Sequence, residues 1–451
     1  MIHKFKQKDT ALVLDVNSGA VHVIDDMVYD ILDFYPNPDK EEILAKLSAT
    51  YESEDLTSAM EDIDYLIENE QLFSGDEYTE NIDFEISNPV IKALCLHVAH
   101  DCNLRCKYCF ASQGDFEGQR LMMDLETGKK AFDFIVANSG NRRNLEVDFF
   151  GGEPLMNFEV CKQLVDYGRS LEEKHNKHFR FTMTTNGVLL DDETIDYLNE
   201  HMDNIVLSLD GRKNVNDNMR PTTNGKGSYD VIVPNLKKMV EKRKDKQYYI
   251  RGTFTAENLD FSEDVIHFAD LGFRQTSVEP VVTEPEHPYA LKEEHMEKIN
   301  EEYEKLAEEY IKRHKEGNPF GFFHFEVDLT QGPCVIKRLR GCGAGAEYVS
   351  ITPEGDIYPC HQFVGNEKFK MGSVHGGEVN TEMATEFKNA NVLSKDKCQT
   401  CWGKFYCSGG CHANAYNFNN DINIPFEEGC KMLLKRLECS LYIQAKLQLE
   451  D

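Results

Sequence analysis

The sequence lacks any long hydrophobic run. Its 451 residues contain no stretch of some 18 apolar residues, so a membrane-spanning helix is not expected. The first six residues, MIHKFK, also lack the apolar segment of a secretory signal peptide. We therefore expect a cytoplasmic protein with no membrane partner.

Basic residues are in short supply. The chain has 49 Lys and Arg against 79 Asp and Glu, which gives a formal net charge of −30. Binding to phosphate backbones needs basic surface, so nucleic acid is excluded as a partner. Hydrophobic residues make up 41% of the chain, a fraction typical of packed domains, and the length predicts two or three of them.

Cysteine, in contrast, is abundant and clustered. Fourteen cysteines are present, most of them near residue 105 or beyond residue 330. In a reducing compartment such clusters are more typical of metal ligands than of disulfides. The first cluster is Cys102, Cys106 and Cys109, spaced C-x₃-C-x₂-C. Three thiolates can hold three irons of a [4Fe–4S] cluster and leave the fourth open, whereas closed clusters use four cysteines. Zinc loops or buried thiols are the alternative, but zinc sites favour C-x₂-C pairs and four ligands.

Residues 89–285 alternate between strand and helix patterns. Candidate strands are Ala93–Val98, Leu145–Phe150, Arg180–Thr184, Ile205–Leu209, Tyr248–Phe254 and Thr276–Val281. Candidate helices are Thr127–Ala137, Glu159–Lys174, Asp192–Glu200, Val231–Lys242 and Asp264–Leu271, and a charged helix at about Leu291–Lys315 follows. Six such units predict an α/β fold with a parallel sheet, either open or curled as a partial barrel. The cysteine loop directly follows the first strand, where chemistry is sited in these folds.

The cysteine loop resembles that of the radical S-adenosylmethionine (SAM) enzymes. The run Phe150-Gly-Gly-Glu-Pro154, about 45 residues later, resembles the segment that binds the SAM amino group in that family. The resemblance implies a partial (β/α)6 barrel, a SAM-binding [4Fe–4S] cluster and bound SAM. The SAM-contacting residues that it implies are Tyr108, Gly151, Gly152, Glu153, Asn186, Ser208 and Arg220, with Ser208 at the ribose and Arg220 at the carboxylate.

The remaining cysteines resemble the seven-cysteine pattern of SPASM domains. They follow the order Cys342, Cys360, Cys398-x₂-Cys401-x₅-Cys407-x₃-Cys411 and Cys430. The resemblance implies two auxiliary [4Fe–4S] clusters, one closed by Cys398, Cys401, Cys407 and Cys430. Cys342, Cys360 and Cys411 remain for the other, whose fourth ligand is either Cys334 or a substrate thiolate. Zinc ribbons also use C-x₂-C pairs and are the alternative, whereas Cys95, Cys161 and Cys439 are expected to be buried apolar residues.

Three domains are expected. Residues 1–80 combine a hairpin around Asn17-Ser18-Gly19 with three helical patterns and resemble a winged-helix peptide-recognition domain, a generic capping domain being the alternative. Residues 89–315 form the radical SAM barrel with its bridging helix. Residues 330–451 form the SPASM domain, whose composition predicts stabilisation by metal.

This order of domains resembles the maturases of "six cysteines in forty-five residues" (SCIFF) peptides. It implies an enzyme that links a cysteine sulfur to an α-carbon within a ribosomal, Cys-rich precursor peptide with a leader. The leader would be captured by strand addition, and an electron donor such as flavodoxin or ferredoxin is implied. The alternatives are a C–C cross-linking maturase, a sulfatase-maturing enzyme and a non-catalytic metal scaffold. The sequence assigns no general base, acceptor residue, number of cross-links or oligomeric state.

Overall fold

A computed structural model describes residues 1–76, 90–116, 118–327, 335–376 and 379–448. Cys334 lies outside these ranges. So does most of the polar, acidic stretch 75–83, which its composition predicts to be a linker. Within them, no helix combines the length and apolar character that crossing a membrane requires.

The N-terminal region is a three-stranded antiparallel sheet with helices on one face. Its strands are β1 (Ile2–Gln7), β2 (Thr10–Asp15) and β3 (Val21–Ile24), with β2 in the centre. The predicted hairpin is confirmed as β2–β3, with Leu12 opposite Val23. Strand β1 is not evident from the sequence, and Leu72-Phe73, whose apolar side chains predict a short strand, do not form one.

Three helices pack on this sheet: α1 (Asp26–Ile31), α2 (Lys40–Leu47) and α3 (Ser53–Glu68). The side chains of Asp25 and Asp39 accept hydrogen bonds from the first-turn N–H groups of α1 and α2, which stabilises both helix starts. A small core of this region joins the helices to β2.

The central sheet contains the six predicted parallel strands in consecutive order. They are β4 (Ala93–Ala99), β5 (Asn144–Gly151), β6 (His178–Thr185), β7 (Asn204–Ser208), β8 (Tyr248–Phe254) and β9 (Gln275–Pro280). Their bounds agree with the prediction within about two residues. Six of the seven residues of β4 are buried, as expected for a parallel strand covered on both faces.

The connecting helices also match the prediction closely. They are α4 (Leu125–Asn138), α5 (Phe158–His175), α6 (Asp192–His201), α7 (Lys213–Met219), α8 (Tyr229–Arg243), α9 (Phe261–Asp270) and α10 (Met296–Lys315). Only the short helix α7 was not expected. Asp124 and Asp191 accept hydrogen bonds from first-turn N–H groups and so fix where α4 and α6 begin.

The C-terminal region continues the same sheet. Strand β10 (Gly321–Phe322) pairs with β9 at one edge, and at the other β11 (Tyr348–Ile351) runs parallel to β4. Strands β12 (Asp356–Tyr358) and β13 (Gly372–Ser373) follow β11 outward. The barrel and the cysteine-rich region therefore share one hydrogen-bonded sheet.

Six further helices lie in the described part of this region: α11 (Val335–Arg340), α12 (Thr381–Asn389), α13 (Asp396–Gln399), α14 (Lys404–Cys407), α15 (His412–Asn419) and α16 (Glu427–Gln448). Because this region is rich in cysteine and glycine, its sequence predicts little regular structure. The 22-residue helix α16 shows that this prediction is wrong. Residues 439–443 are all buried, so the helix has no one-sided apolar pattern that a sequence could show.

The N-terminal domain docks on the C-terminal region. The His3 ring stacks on Trp402 at 3.7 Å between centroids, and its Nε2 lies 3.0 Å from a Glu438 oxygen. Lys446 pairs with Asp9 at 2.8 Å. Because Trp402 follows Cys401, this contact joins the N-terminal sheet to a cysteine-bearing loop.

Candidate active site

A cleft opens where β4 to β7 end, and it gathers most of the residues that the sequence analysis selected. Its volume, including the part open to solvent, is about 720 Å³. The selected residues that line it are Cys102, Cys106, Cys109, Tyr108, Gly151, Gly152, Asn186, Ser208 and Arg220. Thus, of the predicted SAM-contacting residues, all except Glu153 line one cavity.

The base of the cysteine loop rests directly on the glycine turn after β5. The Gly152 N–H donates to the Ala99 carbonyl (2.8 Å) and the Glu153 N–H to the Asp101 carbonyl (2.9 Å). A Cβ on Gly151, whose φ is +128°, would lie 2.2 Å from the Ala99 oxygen, and one on Gly152 would lie 2.1 Å from the Asp101 oxygen. Only glycine permits this approach, which positions the first cysteine of the loop.

Glu153 lies behind the cleft and is fully buried. Its carboxylate accepts hydrogen bonds from the Thr185 hydroxyl (2.7 Å) and the backbone N–H groups of Asn186 (2.8 Å) and Leu155 (3.1 Å). Burial raises the pKa of Glu153, although these hydrogen bonds and Arg220 oppose the shift. In this arrangement Glu153 ties the end of β6 to the glycine turn.

A buried ion pair forms the opposite wall. Tyr108 donates its hydroxyl to Asp210 (2.7 and 2.8 Å), and Arg220 Nη1 donates to the Tyr108 oxygen (2.9 Å). Arg220 Nη1 also lies 3.6 Å from the Asp210 carboxylate, which is fully buried. Burial opposes ionisation of Arg220, but Tyr108, Cys106 and Asp210 raise its pKa well above the usual value. The guanidinium therefore stays charged at the edge of the cleft.

Sequence reasoning missed Asp210 and Asn103. Asp210 lies in the segment Ser208-Leu-Asp-Gly211, two residues after the end of β7, and that position just beyond a strand end was the available signal. Asn103 lies inside the cysteine motif, and its Oδ1 accepts from Asn186 Nδ2 at 2.7 Å. The same Nδ2 lies 3.6 Å from the Cys102 sulfur. Asn186 therefore faces the cysteine loop as well as the cleft.

The C-terminal cysteines fall into two sets by their mutual electrostatic influence, and their assignment as cluster ligands stays a prediction. Cys398, Cys401, Cys407 and Cys430 interact electrostatically with one another; we call them the four-thiol group. Cys342, Cys360 and Cys411 do the same and form the three-thiol group. Cys95, Cys161 and Cys439, which were assigned to neither group, are fully buried, as expected. Nothing in the described residues tests a role for Cys334.

These residues fit iron–sulfur clusters and SAM. Burial raises the pKa of Cys102 to about 11 and of Cys106 to about 12, so metal binding must displace their protons. Across the described ranges no three His, Cys, Asp or Glu side chains converge on one metal ion. A cluster places each thiolate on a different iron, whereas zinc gathers its ligands at about 2.0–2.3 Å from one point. In the described structure, Arg220 Nε and Asn103 Nδ2 are buried and have no hydrogen-bond partner. Buried polar groups normally have one, and a bound polar cofactor would supply it.

The fold and the cleft define a partial-barrel protein with a thiol-lined cofactor site at the strand ends. The Radical SAM superfamily profile matches residues 96–269, and the SPASM profile, an iron-sulfur cluster-binding domain, matches residues 342–402. An uncharacterized protein of Methanocaldococcus jannaschii is 30% identical over 324 residues, covering 70% of this chain and 96% of the relative. The chain therefore belongs to the radical SAM superfamily and carries a SPASM domain.

Other similarities link the chain to peptide- and protein-modifying members of the superfamily. The cysteine-type anaerobic sulfatase-maturating enzyme of Clostridium novyi is 26% identical, over 72% of this chain and 88% of that enzyme. The fold resembles native anSMEcpe with bound AdoMet and Cp18Cys peptide (TM-score 0.65, 20% identity, 79% of this chain and 99% of that chain). It also resembles Streptococcus suis SuiB bound to precursor peptide SuiA (TM-score 0.51, 16% identity, 94% and 97%).

We predict that Gly152→Ala weakens SAM binding at least about tenfold, equal to about 1.4 kcal/mol. The added Cβ would meet the Asp101 carbonyl and displace the start of the cysteine loop. Calorimetric titration of reconstituted protein with SAM measures the effect. Gly75→Ala is the control, because a Cβ there meets no atom within 4 Å. Unchanged SAM affinity in Gly152→Ala would show that this contact does not position the loop.

We also predict that Asp210→Asn raises the SAM dissociation constant by roughly 10- to 100-fold. Removing one member of a buried ion pair leaves the other charge uncompensated, so Arg220 would lose its fixed orientation. Asp260→Asn is the matched control, because Asp260 pairs with Arg212 in the same barrel but is about half exposed. Equal SAM affinities for the two variants would contradict a positioning role for Asp210.

Proposed function

We propose that this protein is a radical SAM peptide maturase that joins a cysteine sulfur to an α-carbon within a ribosomal, Cys-rich precursor peptide. The observation that carries the proposal is that the C-terminal thiols influence one another's pKa in two sets, one of four thiols and one of three. A closed [4Fe–4S] cluster uses four cysteines, so the three-thiol group leaves a position for a substrate thiolate. Cys334 is the competing ligand for that position.

The similarities support a peptide substrate. SuiB has a precursor peptide bound and resembles this chain over 94% of its length, including the N-terminal domain. The anSMEcpe structure also holds a peptide. Both resemblances are below 25% identity, so they establish the fold alone. The peptide substrate is proposed.

The chain's own residues would hold the cofactors as follows. Cys102, Cys106 and Cys109 would bind three irons of the SAM cluster, and the open iron would face the cleft. The carbonyls of the Gly151-Gly152 turn would accept from the SAM amino group, and Arg220 would bind its carboxylate through charge-assisted hydrogen bonds. Ser208 lines the same cleft and would meet the ribose.

When bound and reduced, the cluster and SAM supply a 5′-deoxyadenosyl radical that abstracts one hydrogen atom from the substrate. The protein's task is to hold the peptide so that one C–H bond faces the cleft and to exclude competing donors. Cys342, Cys360 and Cys411 would hold a cluster with one open position, which would supply a site for the substrate cysteine as its thiolate and an acceptor for the electron released when the C–S bond forms. Flavodoxin or ferredoxin is the proposed donor for the initial reduction.

The outer edge of β3 is the proposed site of leader capture. β3 ends the N-terminal sheet in the order β1-β2-β3, and β1 at the other edge contacts helix α16. Val23 on β3 is 45% exposed and Tyr65 on α3 is 64% exposed. An extended leader would pair with this edge, which no other described strand covers, and would place an apolar side chain on Val23.

A sulfatase-maturing activity is the second candidate, favoured by the similarity to the Clostridium novyi enzyme. The products separate the candidates. A thioether removes two hydrogen atoms and one free thiol per link, whereas formylglycine carries an aldehyde that reacts with hydrazides. A C–C cross-link removes two hydrogen atoms but keeps every thiol. Mass spectrometry of the reacted precursor, with and without thiol alkylation, measures all three outcomes.

We predict that the triple variant Cys102→Ala, Cys106→Ala, Cys109→Ala loses SAM cleavage but retains peptide binding. Iron content should fall from about twelve to about eight per chain if three [4Fe–4S] clusters are present. Anaerobic iron and sulfide quantitation beside 5′-deoxyadenosine detection provides the test. Production of 5′-deoxyadenosine by the triple variant would refute the site, and about four irons falling to none would refute the two C-terminal clusters.

We predict that Val23→Asp weakens leader binding by about tenfold or more while SAM cleavage without peptide stays unchanged. The added charge would be desolvated against an apolar leader side chain. Fluorescence anisotropy with a labelled synthetic leader peptide gives the affinity. Val231→Asp is the matched control, because Val231 is similarly exposed (49%) on barrel helix α8. Equal leader affinities in both variants would argue against the β3 edge.

A further inference from the structure

Lys395 is a lysine buried between the two C-terminal thiol groups. Its exposed fraction is 1%, and its Nζ donates a hydrogen bond to the Gly409 carbonyl at 2.8 Å. Lysine is almost never fully buried unless it is paired, because a desolvated ammonium is costly. One carbonyl bond does not supply a counter-charge, so the surroundings of the ammonium must.

Burial lowers the pKa of Lys395, whereas Cys398, Cys407 and Cys430 of the four-thiol group and Cys411 of the three-thiol group raise it. No carboxylate forms an ion pair with Lys395 in the described structure. The nearby His412 is buried, and burial lowers its pKa to about 4, so it stays neutral. Lys395 is therefore placed against both groups at once.

The backbone fixes this placement. The Lys395 carbonyl accepts from the Cys398 N–H at 2.8 Å, so the residue begins the short helix α13 that carries Cys398. Gly409, between Cys407 and Cys411, has a φ of +82°, and a Cβ on it would lie 3.6 Å from Lys395 Nζ. The Lys395 backbone therefore lies just before Cys398, and its Nζ reaches the turn at Gly409 that joins Cys407 to Cys411.

We propose that the Lys395 ammonium is the shared counter-charge of the two auxiliary clusters and raises the reduction potential of both. The inference rests on the cluster assignment made under the proposed function. A fixed cation beside a cluster stabilises its more negative, reduced form, and local charge is one of the factors that set cluster potentials. In the proposed reaction this would favour acceptance of the electron released when the C–S bond closes.

The first test compares Lys395→Met with Lys397→Met in fully reconstituted protein. Lys397 is the matched control because it lies on the same short helix but is 65% exposed and pairs with Glu427. Redox titration followed by electron paramagnetic resonance, without peptide, gives the potentials. We expect both auxiliary potentials to shift negative in Lys395→Met, with the SAM cluster unchanged; Lys397→Met, whose lysine also acts on Cys430, should shift at most the four-thiol cluster and by less. Unchanged auxiliary potentials, or equal shifts of all three clusters, would overturn the proposal.

A second measurement separates a charge effect from a packing effect. It compares the melting temperatures of metal-free and cluster-loaded protein. In metal-free protein no cluster charge faces the buried ammonium, so Lys395→Met should keep or raise the melting temperature. In cluster-loaded protein the same substitution should lower it. A lower melting temperature in both forms would assign Lys395 a structural role only. If Lys395→Met takes up no C-terminal iron, its metal-free melting temperature decides between the two roles.

These measurements are independent of the peptide chemistry. Neither requires substrate or turnover, so failure of the proposed cross-linking reaction would leave the Lys395 result intact. Zinc in place of iron in the C-terminal region would overturn both the cluster assignment and this inference. Failure of the cross-linking reaction and failure of the Lys395 inference are therefore distinguishable.

Discussion

The contact of two backbones at the ends of β4 and β5 is the constraint on which the candidate site depends. Parallel neighbours end at the same edge of a sheet, so the cysteine loop and the glycine turn emerge side by side. Without side chains, Gly151 and Gly152 let the turn touch the Ala99 and Asp101 carbonyls. The first cysteine therefore starts from a fixed backbone position, and the remaining walls of the cleft are built around it.

Buried positive charge recurs wherever the structure gathers thiols. Arg220 stands beside Cys106 and is held by Tyr108 and Asp210, whereas Lys395 stands between the two C-terminal groups with no carboxylate partner in the described structure. Cations buried this deeply are costly unless an anion is near. In a chain of net charge −30, this placement concentrates the cations where anionic cofactors are expected.

The three regions are physically continuous. β11 extends the barrel sheet directly into the SPASM region, and helix α16 packs on both α10 and β1. The His3–Trp402 stack places the N-terminal sheet against the loop of Cys401. A peptide held at β3 would thus be anchored to the same framework that positions the C-terminal thiols, which is the geometry that a leader-dependent modifying enzyme requires.

Local periodicity was enough to predict the six barrel strands and most of their helices, whereas the grouping of the cysteines came from the SPASM resemblance and stays a prediction. The family resemblances also selected nine of the residues that line the cleft. Only the tertiary structure decided that β11 joins β4, that Glu153 lies behind the cleft, and that Asp210 meets Tyr108 from 102 positions away along the chain. Helix α16 and Lys395 were missed for the same reason. Burial on all sides and charge pairing are set by contacts between distant segments, and such contacts leave no period in the sequence.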